Sequence, residues 1–182
     1  MLMDDDGLAR RLRARRNLCF GDKERFRHED RGWNFRMTNV QAALGCAQLE
    51  GIAGFLERKR AMARMYSEGL CGLPLQLPHV ESWAKSTVWM YAVVLDDTVP
   101  YDAVEFARRL NDVGVQTRPF FLGMHEQPVY QRMGLFKGDR FQVTEKISKR
   151  GLYLPSGQAI TDVQIENVIA AVRKVLGYVS GC

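Results

Sequence analysis

GWNFRMTNVQAALGCAQLE, residues 32–50, joins an aromatic, basic loop to a helix whose first turn can be read from its residue types. Thr38 is placed to cap that helix with its hydroxyl, and Gln41, three residues on, to reach back to the cap's backbone N–H. Val40, Ala43, Leu44, Ala47 and Leu49 follow, with only Gln41, Gln48 and Glu50 polar, a pattern that predicts a helix buried on most sides. Gly45 and the alanines leave room for a second helix to approach closely. Just before the cap, Trp33, Asn34, Phe35 and Arg36 offer two ring faces, an amide and a fixed cation. Loops held between rigid elements are where binding and catalytic side chains collect.

Working outward, Asp4, Asp5 and Asp6 open a predicted helix over residues 5–17, acidic residues suiting the positive end of a helix dipole. Met1–Met3 reads as the stump of a strand and residues 18–37 as loop. Downstream, a second long helix is expected after a break at Gly51 or Gly54. Phe55, Leu56, Met62, Met65 and Tyr66 recur along it at helical spacing, as far as Gly69 or Gly72. Pro74 and Pro78 mark a linker, placed at residues 71–86. VWMYAVVL (88–95) predicts a strand, and residues 102–113 a helix capped by Asp102, with Phe106, Ala107, Leu110 and Val113 inward and Gly114 as its stop. VQTRPF (115–120) reads as a short strand, residues 143–150 as a helix and LYLP as a strand. The final helix starts at Thr161 with Gln164 three residues on, its stripe being Ile165, Val168, Ile169, Val172 and Leu176. Strands alternating with helices predict a small α/β layer for the second half.

The segment 32–49 resembles the DegT-type sugar-nucleotide aminotransferases, pyridoxal phosphate (PLP) enzymes of fold type I, and lies closest to those that include GDP-perosamine synthase. The family pattern runs Gly-Tyr-Asn-Tyr-Arg-Met-Thr-Asp/Asn-x-Gln-Ala-Ala-Leu-Gly-x-x-Gln-Leu, with Trp33 and Phe35 here in place of its tyrosines. MLMDDDGLARRLRARRN (1–17) is similar to the family stretch after a Gly-Gly turn. TRPFFLGMHEQPVY (117–130) is similar to its substrate-side loop, and LYLPSG (152–157) to the short strand before its last helix. The resemblance implies a mixed α/β fold, the carboxyl-terminal half of a PLP-dependent transferase. Residues 1–70 would end the large domain with its dimer-interface helices, and residues 87–182 would form a small α/β domain.

The same resemblance implies roles for four residues. The family asparagine matching Asn34 crosses the dimer interface and gives its amide to the PLP phosphate of the neighbouring subunit; an amide can do so without adding charge. The plainer reading is an asparagine that tolerates a tight turn. Arg36, whose planar fork suits oxyanions, is a candidate for a diphosphate or sugar hydroxyls, or else fixes the loop by an ion pair. Trp33 and Phe35 either flank a ring or pack on the following helix, the second being the expectation. Arg118 and His125 stand on the substrate-side loop as candidate sugar-nucleotide contacts, although a lone loop histidine is also simply solvated.

In the family the lysine that forms the Schiff base with PLP lies upstream of the Gly-Gly turn. Lys23, Lys59, Lys85, Lys137, Lys146, Lys149 and Lys174 sit in no similar context. The expectation is therefore a chain that does not transaminate alone and does not hold PLP covalently. A complete enzyme would move an amino group from glutamate to a keto sugar nucleotide, as in polysaccharide biosynthesis. The alternative is a non-enzymatic dimerisation module derived from that family.

Composition bounds the rest. The chain has 182 residues, 46% hydrophobic and 26% charged, with net charge +5. No apolar run approaches the roughly 20 residues that span a bilayer, and an Asp-rich start does not suit a secretory signal, so a cytoplasmic place is expected. Cys19, Cys46, Cys71 and Cys182 have no metal or redox spacing. Cys46 is expected buried, Cys71 and Cys182 exposed. His28 and His79 lack partners at metal spacing. Arg10, Arg11, Arg13, Arg15 and Arg16 crowd a helix without aromatics, which argues for a solvated face and against nucleic-acid binding. Without the family's upstream half, the helices at 38–50 and 55–70 would expose apolar surface, which predicts a homo-oligomer, with a dimer expected.

Overall fold

The computed structural model describes residues 3–20 and 26–178; Met1, Leu2, Gly21, Lys23, Arg25 and Cys182 lie outside them. The chain forms two compact units, divided between Ile52 and Ala53.

The first unit contains α1 (Asp6–Arg16), an irregular loop and α2 (Asn39–Glu50). Asp5 caps α1, its carboxylate accepting from the Leu8 N–H at 2.8 Å. Met3 is not in a strand. The predicted capping box opens α2: Gln41 N–H donates to Thr38 Oγ1 at 3.2 Å, and Thr38 N–H to Gln41 Oε1 at 2.9 Å. The expected burial of α2 is not met. It has no buried residue, Val40, Leu44 and Leu49 being 72%, 66% and 69% exposed. Small apolar residues favour a covered helix, and the described residues supply no cover. Cys46 is exposed with it, against expectation; Cys71 is exposed as expected, and Cys19 is buried.

In the second unit, α3 (Ile52–Gly69) follows the break at Gly51 and is amphipathic, with Met62 and Tyr66 fully buried. The remaining elements are β1 (Leu75–Gln76), β2 (Tyr91–Leu95), α4 (Ala103–Asp112), β3 (Arg118–Pro119), a 3-10 turn (Met124–Glu126), α5 (Pro128–Arg132), α6 (Gln142–Arg150), β4 (Gly151–Leu154) and α7 (Asp162–Val175). Asp102 caps α4, and Thr161 with Gln164 forms a second capping box on α7. β1 lies inside the stretch expected as a linker, because Leu70 and Leu73 are core residues and draw that stretch onto the sheet. The strand expected over 115–120 shrinks to Arg118–Pro119. Pro119 has no N–H to extend a ladder, and β3 accordingly takes an edge.

The sheet order is β1-β2-β4-β3, and every neighbouring pair is antiparallel. Residue alternation divides its faces. Tyr91, Val93, Leu95, Leu152 and Leu154 point to one side, into a core closed by Met62, Tyr66 and Leu70 of the α3 region, Phe106 and Leu110 of α4, and Ile165, Val168 and Val172 of α7. Burial of such side chains is the main favourable contribution, about 1.5–3 kcal/mol for each large aliphatic or aromatic group. Val113, expected on the inward face of α4, is 39% exposed because it falls past the helix end as its C-cap.

Polar side chains tie the layers at their rims. Tyr66 donates its hydroxyl to the Pro155 carbonyl at 2.7 Å, beyond β4. The Arg150 guanidinium donates to the Leu95, Asp96 and Val99 carbonyls at the end of β2. Lys59 donates to the Trp89 carbonyl at 3.0 Å and to that of Ser156, and burial pushes its pKa down.

Candidate functional site

The motif loop is held by its backbone before any side chain is considered. Trp33 N–H donates to the Arg15 carbonyl at 2.7 Å, Phe35 N–H to that of Arg16 at 3.0 Å, and Leu18 N–H to that of Trp33 at 3.1 Å. Asn34 sits between these bonds, bridged antiparallel to Asn17. Gly32 makes the approach possible: a β-carbon there would lie 2.5 Å from both Cys19 N and Leu18 C. Leu18 and Cys19 take left-handed φ angles of 63° and 50°, so the turn after α1 is strained on the side that receives the loop. Cys19 Sγ donates to the Arg31 carbonyl at 3.3 Å, and Arg15 pairs with Asp30 at 3.1 Å. The Arg31 backbone N–H and then Arg15 hold the Asp30 carboxyl below its usual range.

On this scaffold Asn34 is exposed, and its amide has no hydrogen-bond partner among the described residues. Arg36, also exposed, donates from Nη1 to Asn17 Oδ1 at 3.2 Å, a neutral acceptor that leaves its charge uncompensated. Trp33 and Phe35 do not bury themselves as expected. They are 50% and 70% exposed, their rings parallel within 3° at 6.1 Å.

In the second unit, Arg118 and His125 part company. Arg118 is exposed on β3, directly opposite Tyr153 of β4 and so on the sheet face that the helical core leaves uncovered. His125 is 8% exposed and is not a solvated loop histidine. Its ring meets Phe141 edge-on at 4.8 Å, and Nε2 lies 3.4 Å from Glu145 Oε1 in a geometry too poor for a hydrogen bond. Glu145 is already saturated, accepting from Arg140 and from the Phe141 N–H at 3.0 Å. Arg140, followed by that N–H, holds the Glu145 carboxyl at about 2. Beside Tyr153, a cavity of about 470 Å3 is lined by Ala63, Ser67, Val80, Trp89 and Tyr91.

These residues fit a supporting contact to PLP. The free Asn34 amide suits a phosphate oxygen, whereas Lys59 is engaged by two carbonyls and unsuited to receiving an aldehyde. No group of three or more metal-ligating side chains occurs among the described residues.

The model of the DegT/DnrJ/EryC1/StrS aminotransferase family matches residues 1–173. The chain belongs to that family. It is similar to the GDP-perosamine synthase of Caulobacter vibrioides, 32% identical over 175 residues, covering 95% of this chain and 46% of the relative. Among solved structures it resembles the aminotransferase TlmJ from Streptoalloteichus hindustanus, with TM-score 0.78, 29% identity, and coverage of 95% of this chain and 46% of that one. DesV of S. venezuelae gives TM-score 0.77 at 26% identity, with 97% and 46% covered. The chain thus spans about half the length of the curated relatives it matches. Members of this family are PLP-dependent aminotransferases of sugar biosynthesis, and the fold seen here is theirs. No helix among the described residues is long and apolar enough to cross a membrane.

Sequence reasoning missed Tyr153, Phe121 and Glu145. The doublet Phe120–Phe121 beside Arg118 was a visible signal for the rings that pack on Tyr153, with centroids 4.5 and 6.3 Å from it. Glu145 had none, since only folding brings it to His125.

Proposed function

We propose that this chain forms the carboxyl-terminal part of an aminotransferase that moves an amino group from glutamate to a keto sugar nucleotide. The observation that carries this reading is the Asn34 amide, exposed and, among the described residues, unpaired on a loop pinned by its flanking backbone. PLP, when bound, supplies the electron sink for the transfer. Asn34 donates to its phosphate across a dimer interface, a contact that an amide makes without adding charge. Arg36 stands two residues away with an uncompensated charge, suited to an oxyanion of the substrate. Arg118 supplies a second cation from the small domain, and His125 braces the loop that follows it.

The exposure of α2 supports a homodimer, since Val40, Leu44 and Leu49 stand in water around a helix that no described residue covers, as interface residues do. A cytoplasmic place fits sugar-nucleotide chemistry. Residues 1–182 alone carry no transamination in this reading, because no lysine here stands in the family's Schiff-base context. The exposed α2 face equally suits a dimerisation module without catalysis, and one experiment separates the two. Residues 1–182 are fused behind the preceding half of the Caulobacter relative and given PLP, glutamate and a GDP-linked keto sugar. Release of 2-oxoglutarate, reduced at least tenfold by Asn34→Ala, supports the enzyme. A folded, dimeric chimera that releases none identifies the module.

A further inference from the structure

The positive charge of this chain is gathered in one place. Residues 10–36 hold nine arginines and one lysine against four acids, a net of +6. The whole chain carries +5, so the other 155 residues together are slightly acidic. The bias is towards arginine, whose planar fork takes two phosphate oxygens at once and lies flat on rings. Arg10, Arg13, Arg16 and Arg31 are exposed, and their side chains have no hydrogen-bond or ion-pair partner among the described residues. Of the arginines on α1, only Arg15 is paired there, with Asp30 at 3.1 Å.

α1 carries no aromatic residue of its own, and the fold supplies two. The bridge between Asn17 and Asn34 is antiparallel, which sets Phe35 across from Arg16 and Trp33 across from Leu18. Phe35 N–H donates to the Arg16 carbonyl at 3.0 Å, so backbone bonds hold the rings beside the arginine helix. Trp33 and Phe35 are 50% and 70% exposed, their planes within 3° of each other and their centroids 6.1 Å apart. Arg31 stands two residues before the first ring. Parallel ring faces in water, next to arginines that no acid compensates, complement a ligand that repeats a flat ring and a negative charge along its length.

We propose that Arg13, Arg16, Arg31, Trp33 and Phe35 form a seat for single-stranded nucleic acid, with the arginines on phosphates and the bases stacked on the two rings. Stacking accepts any base, because every base has a π face, so the seat is tolerant of sequence. A duplex hides its base faces and leaves the arginines only phosphates to hold. An anionic membrane fits less well. A helix lying in the lipid interface needs a broad apolar face, and α1 offers only Leu8 and Leu12 as large apolar side chains. The proposal goes beyond the aminotransferase reading and uses none of the residues that reading needs.

The test is fluorescence anisotropy of residues 1–182 with short labelled oligouridine, oligothymidine and duplex DNA at matched salt. Both single strands should bind, the tighter of the two naming RNA or DNA as the source, and the duplex at least tenfold more weakly. Trp33→Ala and Phe35→Ala should each weaken oligouridine at least fivefold, and Phe35→Trp, which keeps a ring, should bind as the parent does. Arg13→Ser combined with Arg16→Ser should lower the slope of log affinity against log salt by about 1.4, the value for two lost phosphate contacts. A merely structural role would not move that slope, and circular dichroism should show every variant folded as the parent. Failure of both single strands to bind at micromolar protein would overturn the proposal. So would a duplex bound as tightly as a single strand, ring variants that bind as the parent does, or binding only to phosphatidylglycerol vesicles. None of these outcomes bears on 2-oxoglutarate release by the chimera, so the seat and the aminotransferase reading fail separately.

Discussion

Gly32→Ala tests whether the motif loop is held by close backbone approach. The added methyl would start 2.5 Å from Cys19 N and Leu18 C, where ordinary contact begins at 3.4 Å, so the two segments must part by about 0.9 Å. Backbone atoms on the far side cannot rotate away. Parting them strains the bonds of Trp33 N–H to Arg15, Leu18 N–H to Trp33 and Phe35 N–H to Arg16, at 2.7, 3.1 and 3.0 Å. At about 0.5–1.5 kcal/mol each, losing two or three of them weakens the loop by roughly 1–4 kcal/mol. Amide hydrogen exchange reads this directly. Leu18, Trp33 and Phe35 amides should exchange roughly 5- to 1,000-fold faster in the variant, while amides of β2 and β4 keep their rates. Unchanged protection at those three amides would refute the reasoning, and with it the idea that Asn34 is presented by a rigid loop.

Three further outcomes are expected. Tyr66→Phe should cost about 1 kcal/mol, the low end for an unpaired buried acceptor because half-buried Pro155 can recruit water, visible as a lower urea midpoint at constant slope. Glu145, held at about 2 mainly by Arg140 and so below the 4.5 of an ordinary glutamate, is a depressed carboxyl; its stabilisation is present above pH 4.5 and lost as pH falls towards 2. Glu145→Gln should therefore flatten the pH dependence of the Phe141 amide NMR shift in that window, and an unaltered titration would count against the Arg140–Glu145 pairing. Leu44→Glu, on a residue 66% exposed, should convert a dimer to monomer in sedimentation without lowering the melting temperature; a variant that stays dimeric would place the interface elsewhere.

Local chemistry was legible wherever neighbours in sequence are also partners in space. The caps at Asp5, Thr38, Asp102 and Thr161 close on residues three positions away, so residue types alone located them. The stripe Ile165–Val168–Val172 and the buried pair Met62 and Tyr66 followed from helical period. Pro119, which lacks an N–H, sits in an edge strand. Asn34 and Arg36 stood out as candidates by motif, and the structure adds that, among the described residues, the Asn34 amide is unpaired and Arg36 has a neutral partner.

What the sequence could not settle depends on contacts across long separations. Apolar residues all round α2 predict burial, but burial needs a partner surface, and among the described residues none covers it. His125 looked like a loop histidine until Phe141 and Glu145, sixteen and twenty residues on, closed over its ring. Tyr153 meets Arg118 only because β3 and β4 pair antiparallel in one register, and a shift by a single residue would turn one of them to the other face. Residue types and periods thus determined the helices, their caps and the family. Register and packing, which no local pattern encodes, decided which side chains face the same space.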